Sequence, residues 1–143
     1  MYREDFPMFE NDIIYLDNGA TTFKPKCVID KMTEYYTKYS ANAHRGDYDI
    51  SYKVDVEYEN ARKLVSRFIN AEMDEVVFTS GATESLNMIA SGFFEHILEP
   101  GDEVLITLSE HASNVLPWFM LARKNGIIVK NIELDSNLHV TLN

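Results

Sequence analysis

Apolar residues recur at helical spacing in two stretches of the first half of the chain. Val28, Met32, Tyr35, Tyr36 and Tyr39 follow Pro25, whose fixed backbone angle suits a first helical turn. Val54, Tyr58, Ala61, Val65, Phe68 and Ile69 repeat the pattern, with Ser51 as the expected N-cap. The polar, glycine-punctuated run from Ser40 to Asp47 between them reads as a loop. Near residue 75 the pattern changes to strand, helix, strand, helix, strand. Glu75 to Thr79 is a short apolar strand, and Leu86, Ile89, Ala90, Phe93 and Ile97 then trace one face of a helix. Pro100-Gly101-Asp102 turns the chain into a second strand, Glu103 to Leu108. Val115, Leu116, Phe119, Met120 and Arg123 form a third helix that Gly126 terminates, and Ile127 to Ile132 is a third strand. No repeat or low-complexity segment interrupts this order.

Strands alternating with helices predict an α/β fold with a mostly parallel sheet and right-handed crossovers. In such a sheet ligands gather at the carboxyl ends of the strands. Two segments leave strand ends and enter helices, Thr79 to Thr83 and Ser109 to Asn114, so parallel strands place both on one rim. The first suits an anion. Gly81 permits a tight turn, the amides after it open a helix, and Thr83 adds a hydroxyl. Glu84 already complements the helix dipole, so an ordinary capped helix needs no anion there. The second segment presents His111, which either stacks on a flat ligand and moves protons or simply pairs with Glu110 at the surface. His96 and His139 have no comparable setting.

Composition narrows the partners. The 143 residues suit one domain with a real core, and 45% of them are apolar. Acidic residues outnumber basic ones by 23 to 13, for a net charge of −10, which argues against nucleic acid or an anionic membrane as partner. No stretch approaches the roughly 18 uncharged apolar residues of a membrane span. The lone Cys27 excludes an internal disulfide framework and fits a reducing cytoplasm. It is expected to pack under the first turn of its helix; a reactive thiolate at the helix start is the alternative. No metal site is read.

Four motifs in order carry a family resemblance. They are Leu16-Asp-Asn-Gly-Ala-Thr-Thr22, Ala41-Asn-Ala-His-Arg-Gly46, Phe78-Thr-Ser-Gly-Ala-Thr-Glu84 and Glu110-His-Ala-Ser-Asn-Val-Leu-Pro-Trp118. Together they resemble the opening of class V aminotransferase-like enzymes over roughly residues 13 to 135. The His-Arg-Gly loop and the Asn-to-Pro-Trp ending resemble the SUF-type, or group II, cysteine desulfurases and the related selenocysteine lyases. The resemblance implies part of the large domain of the pyridoxal 5′-phosphate (PLP) fold type I, a three-layer α/β/α arrangement. It implies residues 1–50 as an N-terminal segment with a helix and an inter-subunit loop, and 51–143 as an incomplete PLP-binding domain. Gly81, Ala82 and Thr83 would bind the cofactor phosphate, and His111 would stack on the pyridine ring and assist proton transfer. Gly19 and Ala20 would line the pocket near the substrate carboxylate, with Gly19 standing where the family usually has alanine. His44 and Arg45 would belong to a loop reaching toward the partner's active site in a homodimer.

The chemistry implied is conversion of L-cysteine to L-alanine with the sulfur left as an enzyme-bound persulfide, feeding a sulfur-acceptor protein and iron–sulfur cluster assembly. The chain nevertheless departs from the pattern. It contains no His-Lys pair for the cofactor lysine, no Asp-x-Ala-Gln context for the pyridine nitrogen, and no late cysteine to take the sulfur. It therefore reads as an N-terminal fragment, excised or one piece of a split enzyme, and as inactive by itself. The resemblance further implies that the strand at Val76 to Thr79 pairs with a segment later than Asn143, so that the unpaired edges recruit another chain. Selenocysteine lyase, aminotransferase or epimerase activity is the second reading, and a non-catalytic interaction subunit the third.

Overall fold

A computed structural model describes residues 2–140. Met1 and residues 141–143, the outer limits of the two segments expected above, lie outside the described residues. Contacts divide the chain into two units, one through Val76 and one from Val77.

The first unit is helical. Helix α1, Lys26–Glu34, is preceded by Pro25 as its N-cap rather than as a first-turn residue. Pro25 accepts backbone bonds from Val28 and Ile29 at 3.0 and 3.2 Å. The helix then widens into a π turn, Tyr35–Tyr39. Thr33 and Thr37 bond back to the carbonyls of Ile29 and Thr33 at 2.9 and 2.6 Å just where it widens, a competition that distorts helices. Helix α2 runs from Asp49 to Ile69. Tyr39 is buried, with the Lys53 ammonium 4.2 Å above its ring. Lys31 bridges to Glu57 at 3.1 Å, and bonding to Tyr39 and then Glu57 holds its ammonium well above the usual lysine range. Asn70 closes α2 in the left-handed conformation, φ 56°, returning amides to Arg67 and Ser66.

Two expectations fail in this unit. Ser51 is not the N-cap of α2, a position that Tyr48 occupies. Ser51 lies inside the first turn, fully buried, where its hydroxyl donates to the Asn42 carbonyl at 2.8 Å. Its oxygen is thus used to hold the preceding loop down. Cys27 is exposed rather than packed beneath the first turn of α1.

In the second unit, strands β1, Glu103–Thr107, and β2, Ile128–Ile132, pair in parallel, with Glu103 opposite Ile128 and Thr107 opposite Ile132. Helix α4, Ala112–Asn125, crosses between them and ends at Gly126. Helix α3, Ala82–Asn87, continues as a π turn, Met88–Phe93, and a last tight turn, Phe94–His96. Ile106, Leu121, Ile127 and Ala90 form the core. Leu105 on the other face of β1 is 61% exposed and Met120 on α4 is 68% exposed, large apolar areas for a parallel sheet that normally buries both faces.

The strand expected at Glu75 to Thr79 does not form a ladder. Glu75 ends a tight turn, Met73–Glu75, in which its carboxylate accepts from the Glu72 amide at 2.8 Å. Val76 has extended backbone angles, but residues 76–79 join no ladder among the described residues. Periodicity reads a strand's conformation; it cannot read whether a neighbour is present to pair with it. The described sheet therefore has two strands, not three.

Candidate functional site

The two strand-to-helix segments singled out from the sequence both belong to the second unit. Gly81 precedes α3 with φ 157° and ψ 179°, a region open in practice only to glycine. An added Cβ would meet nothing within 4 Å, so the backbone angles and not crowding require glycine there. With no side chain at the cap, the first amides of α3 stay open. Among the described residues no acceptor takes the amides of Ala82 or Thr83, and the Thr83 hydroxyl has no partner either. Open donors in this arrangement are of the kind an anion can accept from.

The turn is held by a latch. The amide and hydroxyl of Ser80 each donate to Glu84 Oε2 at 2.6 Å. These bonds, the hydroxyl's first, hold the Glu84 carboxyl below the usual glutamate range. Ser85 Oγ and Thr79 Oγ1 lie 2.8 Å apart and close the other side of the turn.

His111 is the N-cap of α4. Its Nδ1 accepts from the Ser113 amide at 3.2 Å and lies 2.8 Å from Ser113 Oγ. The surface pairing with Glu110 does not occur. That carboxylate accepts instead from Asn114 Nδ2 at 3.0 Å and from Thr107 Oγ1 at 3.4 Å. Asn114 Oδ1 in turn accepts from the Trp118 indole at 3.4 Å. The Asn-to-Trp spacing is thus one helical turn closed by a side-chain bond.

The helices set the open turn and the histidine at one end. Lys124 and Asn125 at the end of α4 both bind Glu95, through its carboxylate and its carbonyl. Asn125 does so at 2.8 Å. Phe94 meets Trp118 edge-on at 5.5 Å. Helix α3 also packs on α4, and the same length of chain separates Ala82 from Glu95 as Ala112 from Asn125. Helices that meet at their C-terminal ends, and that also touch along the residues of α3, run in the same general direction. Gly81 and His111 therefore share an end.

The remaining predicted site residues belong to the first unit. Gly19 sits in a turn where Ala20 and Thr21 donate to the Asp17 carbonyl at 3.1 and 3.3 Å. A Cβ on Gly19 would meet nothing within 4 Å. His44 has φ 60°, and both its amide and its Nδ1 approach Asp55 Oδ1, at 2.7 and 3.4 Å. Its ring stands edge-on to Tyr58. Arg45 beside it is exposed, and Gly46 passes so close to α2 that a Cβ would lie 2.4 Å from Ser51. Asp55, which holds the histidine loop, was not legible beforehand; a lone acid in an amphipathic helix gives no signal.

The profile of the aminotransferase class-V family matches residues 14–143. The chain belongs to the class V aminotransferase family. A curated relative, a probable cysteine desulfurase of Ureaplasma parvum, is 49% identical over 128 residues, covering 88% of this chain and 32% of the relative. Another probable cysteine desulfurase, from Pyrococcus abyssi, is 46% identical and covers 98% of this chain and 34% of its own length. Among solved structures, the apo cysteine desulfurase of Thermococcus onnurineus is 44% identical with a TM-score of 0.89, over 96% of this chain and 34% of that one. The chain thus spans about a third of the length of the relatives it matches. The family fold agrees with the α/β pattern, here a mixed α/β chain with a parallel sheet, and identifies it as part of a PLP fold type I domain.

Proposed function

We propose that this chain supplies the phosphate cup and ring-stacking wall of a PLP-dependent cysteine desulfurase of the SUF type, and is the N-terminal portion of that enzyme. The observation that carries the reading is the set of unpartnered donors at Ala82 and Thr83 behind Gly81, at the same helix end as His111. The donor set fits PLP: backbone amides and a hydroxyl suit phosphate oxygens, and an imidazole beside them suits a flat ring. The relatives' cysteine desulfurase names support the activity, and the His44-Arg45-Gly46 loop with the Asn114 to Trp118 motif supports the SUF type.

When bound, the cofactor supplies an electron sink for carbanion chemistry at the amino acid's α-carbon. The chain's residues do the rest of what is assigned to them. Gly81, Ala82 and Thr83 bind the phosphate and fix the position of the group. His111 lies against the pyridine ring and shields that face from water. Gly19 and Ala20 border the carboxylate of L-cysteine. His44 and Arg45 extend toward the other subunit of a homodimer, with residues 1–50 as the inter-subunit segment and 51–143 as part of the PLP-binding domain. The whole enzyme converts L-cysteine to L-alanine, leaves the sulfur as a persulfide, and passes it to an acceptor protein for iron–sulfur cluster assembly in the cytoplasm.

The test is amide and imidazole chemical shifts of the chain titrated with PLP, inorganic phosphate and pyridoxal. PLP should move Ala82, Thr83 and His111; phosphate should move the first two; pyridoxal should leave the two amides still. Shifts that spare Ala82 and Thr83 under PLP would overturn the reading. With no His-Lys pair to hold the cofactor, the chain alone should release no alanine or sulfide above free PLP.

A further inference from the structure

We infer that Ser113 is a positioning residue that fixes His111 as its Nε2–H tautomer, so that the ring offers a hydrogen-bond donor, not a base, at its free edge. The inference rests on the placement of His111 beside the cofactor proposed above. A backbone amide can only donate, and the Ser113 amide points at His111 Nδ1 from 3.2 Å. That nitrogen must therefore present its lone pair. A neutral imidazole has one proton, which then sits on Nε2. With Nδ1 an acceptor, the Ser113 hydroxyl at 2.8 Å completes its role as a second donor to the same atom.

The neighbouring acid does not oppose this. Glu110, the carboxylate best placed to draw a proton to Nδ1, is occupied by Asn114 and Thr107. Among the described residues Nε2 has no partner, and the ring is exposed. A group that removes a proton from substrate needs a free lone pair within reach. The lone pair of His111 is turned into its own helix, so removal of the substrate's α-proton falls to another group. His111 is left to stack and to donate one hydrogen bond from Nε2. Tautomer choice by a bond at the opposite nitrogen is how histidines are commonly tuned.

The test is a two-bond proton–nitrogen spectrum of the labelled full chain above the imidazole titration range, without PLP. The expected spectrum has His111 Nδ1 at an unprotonated position and Nε2 at a protonated one. Ser113→Ala should shift the Nδ1 signal toward that of a weakly bonded nitrogen, and Ser113→Thr should restore it. A wild-type spectrum with Nδ1 protonated, or a Ser113→Ala spectrum with Nδ1 unmoved, overturns the inference. Because PLP is left out, this result bears on the tautomer alone, while the titration above bears on the cup.

Discussion

Replacing Gly81 by alanine tests the cup at its most constrained atom. At φ 157° and ψ 179° an L-residue is held in a region essentially reserved for glycine, at a cost on the order of 1–3 kcal/mol. Crowding adds nothing, since the new Cβ would meet no atom within 4 Å. The strain corresponds to roughly a 5- to 150-fold loss in the folding equilibrium, with each 1.4 kcal/mol a factor of ten. Melting should fall by about 2–8 °C per kcal/mol for a protein of this size range. If the chain relaxes the strain instead, φ rotates and the amides of Ala82 and Thr83 swing out of alignment. In that case phosphate-induced shifts at those amides should weaken. Gly19→Ala is the internal control: open space, no left-handed φ, and an expected change within about ±0.5 kcal/mol or a gain of about 0.4–1 kcal/mol from a stiffer unfolded chain. Gly81→Ala melting no lower than Gly19→Ala, with the phosphate response intact, would refute the argument.

Gly46→Ala should destabilise by about 1–3 kcal/mol by a different route, because its Cβ would stand 2.4 Å from both Cβ and Oγ of buried Ser51; urea unfolding reads it, and a midpoint equal to wild type would show that the loop yields freely. The Ser80–Glu84 latch should appear in the pH dependence of melting. Glu84 has a folded pKa below its ordinary value of 4.5, so its contribution is complete above about that pH and is lost as pH falls through the folded value. Wild type should therefore melt above Glu84→Gln near neutrality and converge with it in acid; a gap that persists or widens in acid would contradict the latch.

The second unit was largely legible because its strands and helices carry strong periodicity. The end of α4 at Gly126 and both paired strands lie within a residue or two of the expected positions. What escaped was pairing and side-chain bookkeeping at short range. Val76 to Thr79 has strand composition but joins no β-ladder among the described residues. Ser51 is a good capping residue, yet a nearby carbonyl from Asn42 competes for its hydroxyl and Tyr48 takes the cap position. The open turn at Gly81 to Thr83 was legible because glycine before a helix permits a tight turn that leaves the following amides free. The role of Ser113 was not, since a serine in a first turn is common and only the orientation of the neighbouring imidazole gives it meaning.

The bond between Asn114 and Trp118 has an optical consequence. Trp118 is the sole tryptophan of the chain, so every photon of indole emission comes from this one turn of α4. Its Nε1 holds Asn114, and the same amide holds Glu110, the residue next to His111. Two hydrogen bonds separate the fluorophore from the histidine's end of the helix. Displacement of that end changes the polarity around the indole, while an absorbing ring seated near His111 would quench it by energy transfer. The chain thus carries its own reporter near His111, and the proposed cofactor site can be tested in unlabelled protein by emission colour and intensity.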